Sequence, residues 1–394
     1  MAFMDVLEAK QQVRREIERL TPTLLEVSHE IHANPELNFE EHFAHEMLTG
    51  VLTDEGLDVE QGAYDMPTAF DARVGTQGAT VAVCCEYDAL PGIGHACGHN
   101  IIAAAGLGAG LAAAKVAEAL GGRLAILGTP AEEGGGGKEF MIRRGAFDDI
   151  DAAMMVHPAD HDLRWMQTIA IHTVDVSYDG KAAHAAAAPH KGLNALDAAV
   201  LGYNNVAALR QHIRPEERIH GVFTDGGEKP NIVPEHAAAQ WYVRSRNMDS
   251  LEPLKDRVMA CLQAGASASG CDMTHQWNDP PFCDMIDNTP LLDLYSANAA
   301  DVGRIVAEPN PMSVVAGSTD MGNVSYAVPA IHPMIKVAPQ GCAIHTADFA
   351  VHSRGEDGDR AVIDGALTMA LTMVDLWADN ETMASVRDEF EESQ

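Results

Sequence analysis

The sequence predicts an α/β protein interrupted by a smaller α+β domain, and three observations predict it. Strand-like apolar runs alternate with helical patterns on both sides of residues 173–283. Within 173–283 the order is strand, helix, strand, strand, helix, strand, which is the ferredoxin-like order. The length, 394 residues, exceeds one ordinary domain and fits two. The simplest organisation is a discontinuous larger domain, residues 1–172 and 284–394, with a second domain, 173–283, inserted into it.

The elements follow in order. Residues 1–60 read as helices broken once, at Asn34-Pro35, because proline restricts the residue before it. TAFDARVG and ATVAVCCEYD read as strands, and Asn100 to Leu120 as an Ala-rich helix. GRLAILGTP is a strand, KEFMIRRGAF a helix and DAAMMVHP a further strand. In the inserted part, HTVDVSYDGKAAH is a strand running into a polar loop, and GLNALDAAVLGYNNVAALRQHI a long helix. RIHGVFTDGG and HAAAQWYVRSRN are strands, SLEPLKDRVMACLQAGASAS a helix and CDMTHQWN the last strand. NDPPFCDMIDNTP is the connection back to α/β sequence.

Composition narrows the partners. With 58 acidic against 26 basic residues the formal net charge is −32, which repels phosphate backbones and anionic lipid. A nucleic-acid or membrane-surface partner is therefore not expected. No stretch approaches the roughly 18 uninterrupted apolar residues of a membrane span. MAFMDVLEAKQQVRREIERL has the pattern of a charged amphipathic helix, not of a signal peptide. The 7 cysteines are odd in number and form no disulfide framework, so reduced thiols and a cytoplasmic location are expected. Only 8 of the 26 basic residues are lysine, which fits ordinary acidity as well as adaptation to salt.

Four places could carry chemistry. EYDALPGIGHACGHN, residues 86–100, follows an apolar strand, and ligands in open α/β sheets bind at the carboxyl ends of strands. Its His95, Cys97 and His99 are metal-ligand types crowded into five positions. TPAEEGGGG, residues 129–137, also follows a strand. Adjacent carboxylates there are usually a solvated turn, but in a metal enzyme one can ligate and the other take a proton from water. His157 and His345 stand in two further segments; alone, each would be an ordinary structural histidine. Together these residues form a Cys-His-Glu-His-His set large enough for two divalent ions sharing one bridging group. Elsewhere, His184 lies beside a Gly/Ala-rich loop, Asn231 and Arg244 occupy the inserted domain, and Gly317, Ser318 and Asp320 fall in GSTDMGNVS. An arginine such as Arg244 either pairs with a carboxylate or is a solvated strand residue.

These motifs resemble the amidohydrolase branch of the M-twenty metallopeptidase family. HEIHANPELNFEE, DALPGIGHACGHN, TPAEEGGGG, AHAAAAPHKGLNALDA, NIVPEHA, GSTDMGNVS and the late IHT match in order over nearly the whole chain. The form EYDALPGIGHACGHN is most similar to the dipeptidase and aminobenzoyl-glutamate hydrolase-like subgroup.

The resemblance implies a dinuclear-metal, zinc-peptidase-like catalytic domain, its mixed sheet flanked by helices, with the ferredoxin-like insert serving as lid and dimerisation domain. It implies Cys97 as the bridging thiolate, with His99 and His157 completing one metal and Glu133 and His345 the other. Glu132 would be the general base, and Asp88 a carboxylate orienting a ligand. His184 would stabilise the oxyanion from across a homodimer. Asn231 and Arg244, with Gly317 and Ser318, would contact substrate. The two divalent ions per chain would be zinc or manganese. Many relatives carry histidine where this chain has Glu86, and Glu86 is left outside the ligand set. The implied reaction is hydrolysis, by metal-activated water, of the amide bond in an N-acyl, N-aminoacyl or aminobenzoyl amino acid. A deacylase of N-acetyl or N-succinyl amino acids, or a silent binding protein on the same scaffold, are the alternatives.

Overall fold

Helix α1 (Val6–Ala33) begins where Asp5 accepts hydrogen bonds from the Leu7 and Glu8 amides, an N-cap. It buries Ala9, Val13, Ile17, Leu20, Leu24, Val27 and Ile31, a stripe at three- and four-residue spacing. It stops at Asn34, before the proline, and α2 (His42–Asp54) follows. The computed structural model describes residues 4–309 and 317–393.

The chain divides into two units, Met1–Gln167 with Met285–Gln394, and Thr168–Asp284. In the first unit come β1 (Val59–Gln61), β2 (Phe70–Val74), β3 (Thr80–Cys85), α3 (His99–Ala114), β4 (Arg123–Gly128), α4 (Gly137–Arg143), β5 (Ala152–Met154) and β6 (His157–Ala159). β3 is buried at every position, as a central strand covered on both faces must be. α3 is buried almost all round, and its small residues are the reason it can be. A Cβ on Gly106 would come 2.7 Å from Cys85 Sγ, and one on Gly108 would come 2.6 Å from Leu24 of α1. Glycine and alanine therefore let the helix lie between the sheet and its neighbours at close packing.

The second unit contains β7 (Ala170–Asp179), α5 (Ala195–Leu209), β8 (Arg218–Asp225), β9 (His236–Ser245), α6 (Met248–Ser269) and β10 (Asp272–Trp277). Its antiparallel sheet runs β10-β7-β9-β8, giving the ferredoxin-like β-α-β-β-α-β arrangement. β7 and β9 alternate buried and less buried residues, so Val174, Val176, Tyr178, Ala239, Trp241 and Val243 share one core with Leu254, Val258 and Leu262 of α6. α6 starts with a reciprocal Asn247–Ser250 capping box and ends at Gly270 in the left-handed region. The strand expected from residue 172 begins at Ala170, because the ladder with β9 continues to the Ala170–Ser245 pair.

The chain then completes the first unit with α7 (Thr289–Asp301), α8 (Met321–Ala327), β11 (Ala330–Ile331), β12 (Met334–Lys336), α9 (Ala347–His352), α10 (Glu356–Ala378) and α11 (Asn380–Ser393). The six-stranded mixed sheet has the order β1-β2-β4-β3-β5-β11, with the β4-β3-β5-β11 run parallel. The run DAAMMVHP, expected as one strand, is two. β5 stays in the main sheet, whereas β6 leaves it to pair in parallel with β12. His157 consequently begins a strand instead of ending one. By length and composition α10 could cross a membrane, but 72% of its apolar window is buried inside the protein. Its Val362, Ala366, Met369, Leu371 and Met373 belong to the main core, which marks it as a core helix.

Candidate metal centre and active site

Beyond β3 the chain continues through Glu86, Tyr87 and Asp88, all buried, into a tight loop. Leu90 and Gly94 close it by paired backbone hydrogen bonds. Gly98 has φ +82 and caps α3, and a Cβ there would come 2.8 Å from the Pro158 ring. Glycine therefore lets Cys97 and His99 turn inward against the segment that carries His157.

Two trios of ligand atoms result. Cys97, His99 and His157 form one; Cys97, Glu133 and His345 form the other; within each trio the atoms lie within 4.8 Å of one another. Cys97 is common to both. A third group, His99, Glu132 and Glu133, satisfies the same distance. Cys97 Sγ lies 3.3 Å from His157 Nε2, and His157 Nδ1 donates to the Pro158 carbonyl at 2.8 Å, which leaves Nε2 as the free lone pair. His99 Nδ1 donates to Asp88 Oδ1 at 2.9 Å, so its Nε2 also faces the cluster. His345, half exposed with φ +63, is held by its amide on the Ala96 carbonyl and places Nε2 3.4 Å from Glu133 Oε2.

The donors fit divalent ions. His99 Nε2 and Glu133 Oε1 are buried without a hydrogen-bond partner. His99 Nε2 stands 3.6 Å from Glu86 Oε2, 3.8 Å from Glu133 Oε1 and 3.9 Å from Glu132 Oε2. Those gaps are too long for hydrogen bonds, so the buried His99 Nε2 faces carboxylate oxygens across a space whose negative charge a cation would balance. A thiolate, three imidazoles and a carboxylate make a set suited to such an ion.

Electrostatics separates the two adjacent glutamates. Burial pushes Glu132 well above the carboxylate range, and the charges of Glu86 and Glu133 push it further. Burial also acts on Glu133, but His345 and His99 override it and hold this group below its usual value. Neighbouring carboxyls with opposite shifts suit a proton carrier and a ligand. Burial alone would raise Asp88 as well; His99 reverses that. Burial lowers His157 to about 3, which keeps its imidazole neutral.

Sequence reasoning missed the support beneath this cluster. Lys138, fully buried, places Nζ 2.5 Å from Glu86 Oε1 and 2.6 Å from Asp320 Oδ1, and Asp320 also accepts from the Lys138 amide at 3.0 Å. Desolvation works against the ammonium, but Asp320 and Glu86 outweigh it and keep Lys138 charged. Asp320 thus ties the segment GSTDMGNVS to this region. Gly317 lies where a Cβ would come 3.1 Å from Met166 Cε. His332 is a further buried ring, its centroid 5.1 Å from that of His157. His95 is buried beside His32, and it belongs to none of the ligand groups among the described residues.

The second unit brings His184 and Asn231 together. Asn231 accepts from the Ala185 amide at 3.0 Å, and His184 bridges Ile232. His184 Nδ1 accepts from the Ala186 and Ala187 amides, which leaves Nε2–H as an outward donor. Arg244 lies on β9 opposite Arg218, with its guanidinium 5.9 Å from the Tyr242 ring centre.

Fold and site define a metal-dependent hydrolase acting on amide bonds. The chain belongs to Peptidase family M20/M25/M40, whose model matches residues 81–375. It is 36% identical over 396 residues to the mouse Xaa-Arg dipeptidase, covering 97% of this chain and 92% of that one. It is 29% identical to a p-aminobenzoyl-glutamate hydrolase polypeptide of Escherichia coli, covering 93% and 92% respectively. A crystal structure of an aminobenzoyl-glutamate utilization protein from Klebsiella pneumoniae shares the fold, with TM-score 0.75 at 19% identity over 93% of this chain and 99% of that one.

Proposed function

We propose that the protein is a dipeptidase of this family, hydrolysing the peptide bond of dipeptides whose C-terminal residue is basic. The observation that carries the hydrolytic reading is the pair of ligand trios sharing Cys97, with Glu132 beside them. Cys97, His99 and His157 would hold one divalent ion, and Cys97, Glu133 and His345 a second, zinc or manganese. When bound, such ions polarise the scissile carbonyl and acidify water. Glu132 removes a proton from the attacking water as its oxygen bonds to the carbonyl carbon. It returns that proton to the leaving nitrogen as the C–N bond breaks. Asp88 keeps His99 in the tautomer whose Nε2 lone pair would be available to an ion. His184, with its Nε2–H free, is assigned to the oxyanion, and Asn231 and Arg244 to the substrate carboxylate.

The choice of a basic residue rests on two supports. One is the likeness to an Xaa-Arg dipeptidase over nearly the full length. The other is the net charge of −32, whose field draws a cationic side chain and opposes a glutamate product with its extra carboxylate. β8 is an open edge of its sheet with Val222 and Phe223 exposed, which supports dimerisation through the second unit. The seven cysteines, none of them in a disulfide, support a reducing, cytoplasmic location.

The test is a panel of Xaa-Arg and Xaa-Lys dipeptides, neutral dipeptides, aminobenzoyl-glutamate and N-acetyl amino acids, assayed with metal and after chelation. Basic dipeptides are expected to lead in kcat/KM by roughly tenfold or more, the worth of one added charge contact. Preference for aminobenzoyl-glutamate or for N-acetyl amino acids would overturn the substrate assignment.

A further inference from the structure

The segment HANPELNFEE has no part in the ligand groups, yet it contains a fully buried carboxylate, Glu41, just before α2. Glu41 Oε1 accepts from the Phe39 amide at 2.9 Å and from the Ala131 amide at 2.9 Å. Its Oε2 accepts from Thr68 Oγ1 at 2.9 Å. No cation among the described residues lies in ion-pair contact with it, and the nearby charge of Asp88 acts against its ionisation. A buried acid without a counter-ion is costly, so what its hydrogen bonds hold in place is informative.

They hold the loop that carries the two functional glutamates. Ala131 has φ +61, a left-handed backbone that a residue with a Cβ enters at a cost. Its carbonyl accepts from the Gly135 and Gly136 amides, so residues 131–136 wrap around this one peptide. A Cβ on Gly135 would come 2.6 Å from both the Ala131 side chain and the Phe39 ring, which explains part of the glycine run. Two residues on, the Glu133 amide donates to Asp88 Oδ2 at 2.8 Å. The amides on either side of Glu132 are thus each held by a buried carboxylate from another part of the chain. The same N-terminal segment reaches the other catalytic loop, since the Ala89 amide donates to the Glu36 carbonyl at 2.8 Å. Glu36 in turn accepts from the Phe43 and Ala44 amides at the start of α2.

We propose that Glu41 is a positioning residue that, together with Asp88, clamps the backbone on both sides of Glu132 and so aims the general base. The inference rests on the reading of Glu132 given above. A glutamine at position 41 keeps the geometry: its oxygen accepts from Phe39 and Ala131, and its amide donates to Thr68. An alanine removes every contact.

Two readouts test this. The first is amide hydrogen exchange of the segment 129–137 in chelated protein, which needs no catalysis. Glu41→Ala is expected to speed exchange there by about tenfold or more, the worth of one lost hydrogen bond, with Glu41→Gln close to wild type. The second is turnover of metal-loaded protein. Glu41→Ala is expected to lower kcat by roughly 10–100-fold with KM within about threefold, as loss of alignment does. Adding Ala131→Gly to Glu41→Ala is expected to recover about threefold or more of the lost kcat, because glycine enters the left-handed region without the clamp. If Glu41→Ala does not fold, Glu41→Asp carries the test: it keeps the acid but is too short to span Phe39, Ala131 and Thr68, and should loosen the same segment. Unchanged exchange in 129–137, or Glu41→Gln as damaging as Glu41→Ala, overturns the clamp. A wild-type protein that hydrolyses no amide overturns the reading of Glu132, and exchange still decides the clamp.

Discussion

Glu132 is the residue on which the proposed chemistry turns, because it alone is assigned to accept and return a proton. Glu132→Gln keeps the shape and removes the acceptor. It is expected to retain fold and metal content while kcat falls by roughly 10²–10⁴-fold. Turnover and elemental analysis on the same preparation check this, and near-normal turnover removes the role. A second residue makes a pH prediction away from the site. Burial, partly opposed by Arg164, raises Asp287 from 3.8 to about 7, and its Oδ1 has no hydrogen-bond partner. Between those two values the folded protein holds a proton that the unfolded chain has released, so stability falls as pH rises through that window. Asp287→Asn removes this loss. It is expected to unfold later than wild type at pH 8, by up to about 4 kcal/mol at 1.4 kcal/mol per pKa unit, and equally with it near pH 4. Denaturant melts at both pH values decide it; an equal or lower stability at pH 8 contradicts the shift. Cys97, His99, Glu132 and Glu133 stood out because metal-ligand types and paired acids are rare just after apolar strands, whereas His157, which begins β6, and His345, in the loop before α9, stood out only in their company. Glu41 and Lys138 were not readable. Their partners lie 90 residues away for Ala131 and 182 for Asp320, and a lone Glu or Lys carries no signal of where it will be buried.

Among the elements, the turn that joins the Asp88 loop to α3 has little freedom. Gly98→Ala must carry a Cβ at φ +82 against Pro158, next to His157, a proposed ligand. It is expected to cost about 1–3 kcal/mol of stability and to weaken metal binding by about tenfold or more. Thermal melts of metal-free protein and chelator competition measure the two effects; unaltered metal affinity shows that the turn does not set the cluster. The order of strands and helices from β2 to β10 was legible because periodicity switches at Gly or Pro boundaries, as in GTP before Ala131 and in NPE after α1, whereas β1 fell in a stretch read as helical and the elements after the insert were not separated. The division of DAAMMVHP into β5 and β6 was not, because three-residue strands in two sheets share one continuous apolar run. Nor was the start of β7 at Ala170, which is set by its pairing with β9 and not by local pattern.

The whole molecule combines a strongly negative field with a site assigned to bind cations. The charge excluded nucleic acid as an expected partner, and it now supports a substrate with a basic side chain. Rising salt is accordingly expected to lower kcat/KM for Xaa-Arg dipeptides more than for neutral ones, since screening shortens the reach of the field to about 3 Å at 1 M. Equal salt dependence for both would remove the electrostatic part of the argument. The central claim is that the five ligands hold two ions through the shared Cys97 and that hydrolysis depends on them. Titration of chelated protein with zinc or manganese, followed by elemental analysis and hydrolysis of an Xaa-Arg dipeptide, tests it most directly. The account expects two ions per wild-type chain, activity that appears as they load, and loss of the pair in Cys97→Ala. Full hydrolysis after exhaustive chelation, or two tightly held ions in Cys97→Ala, would contradict it.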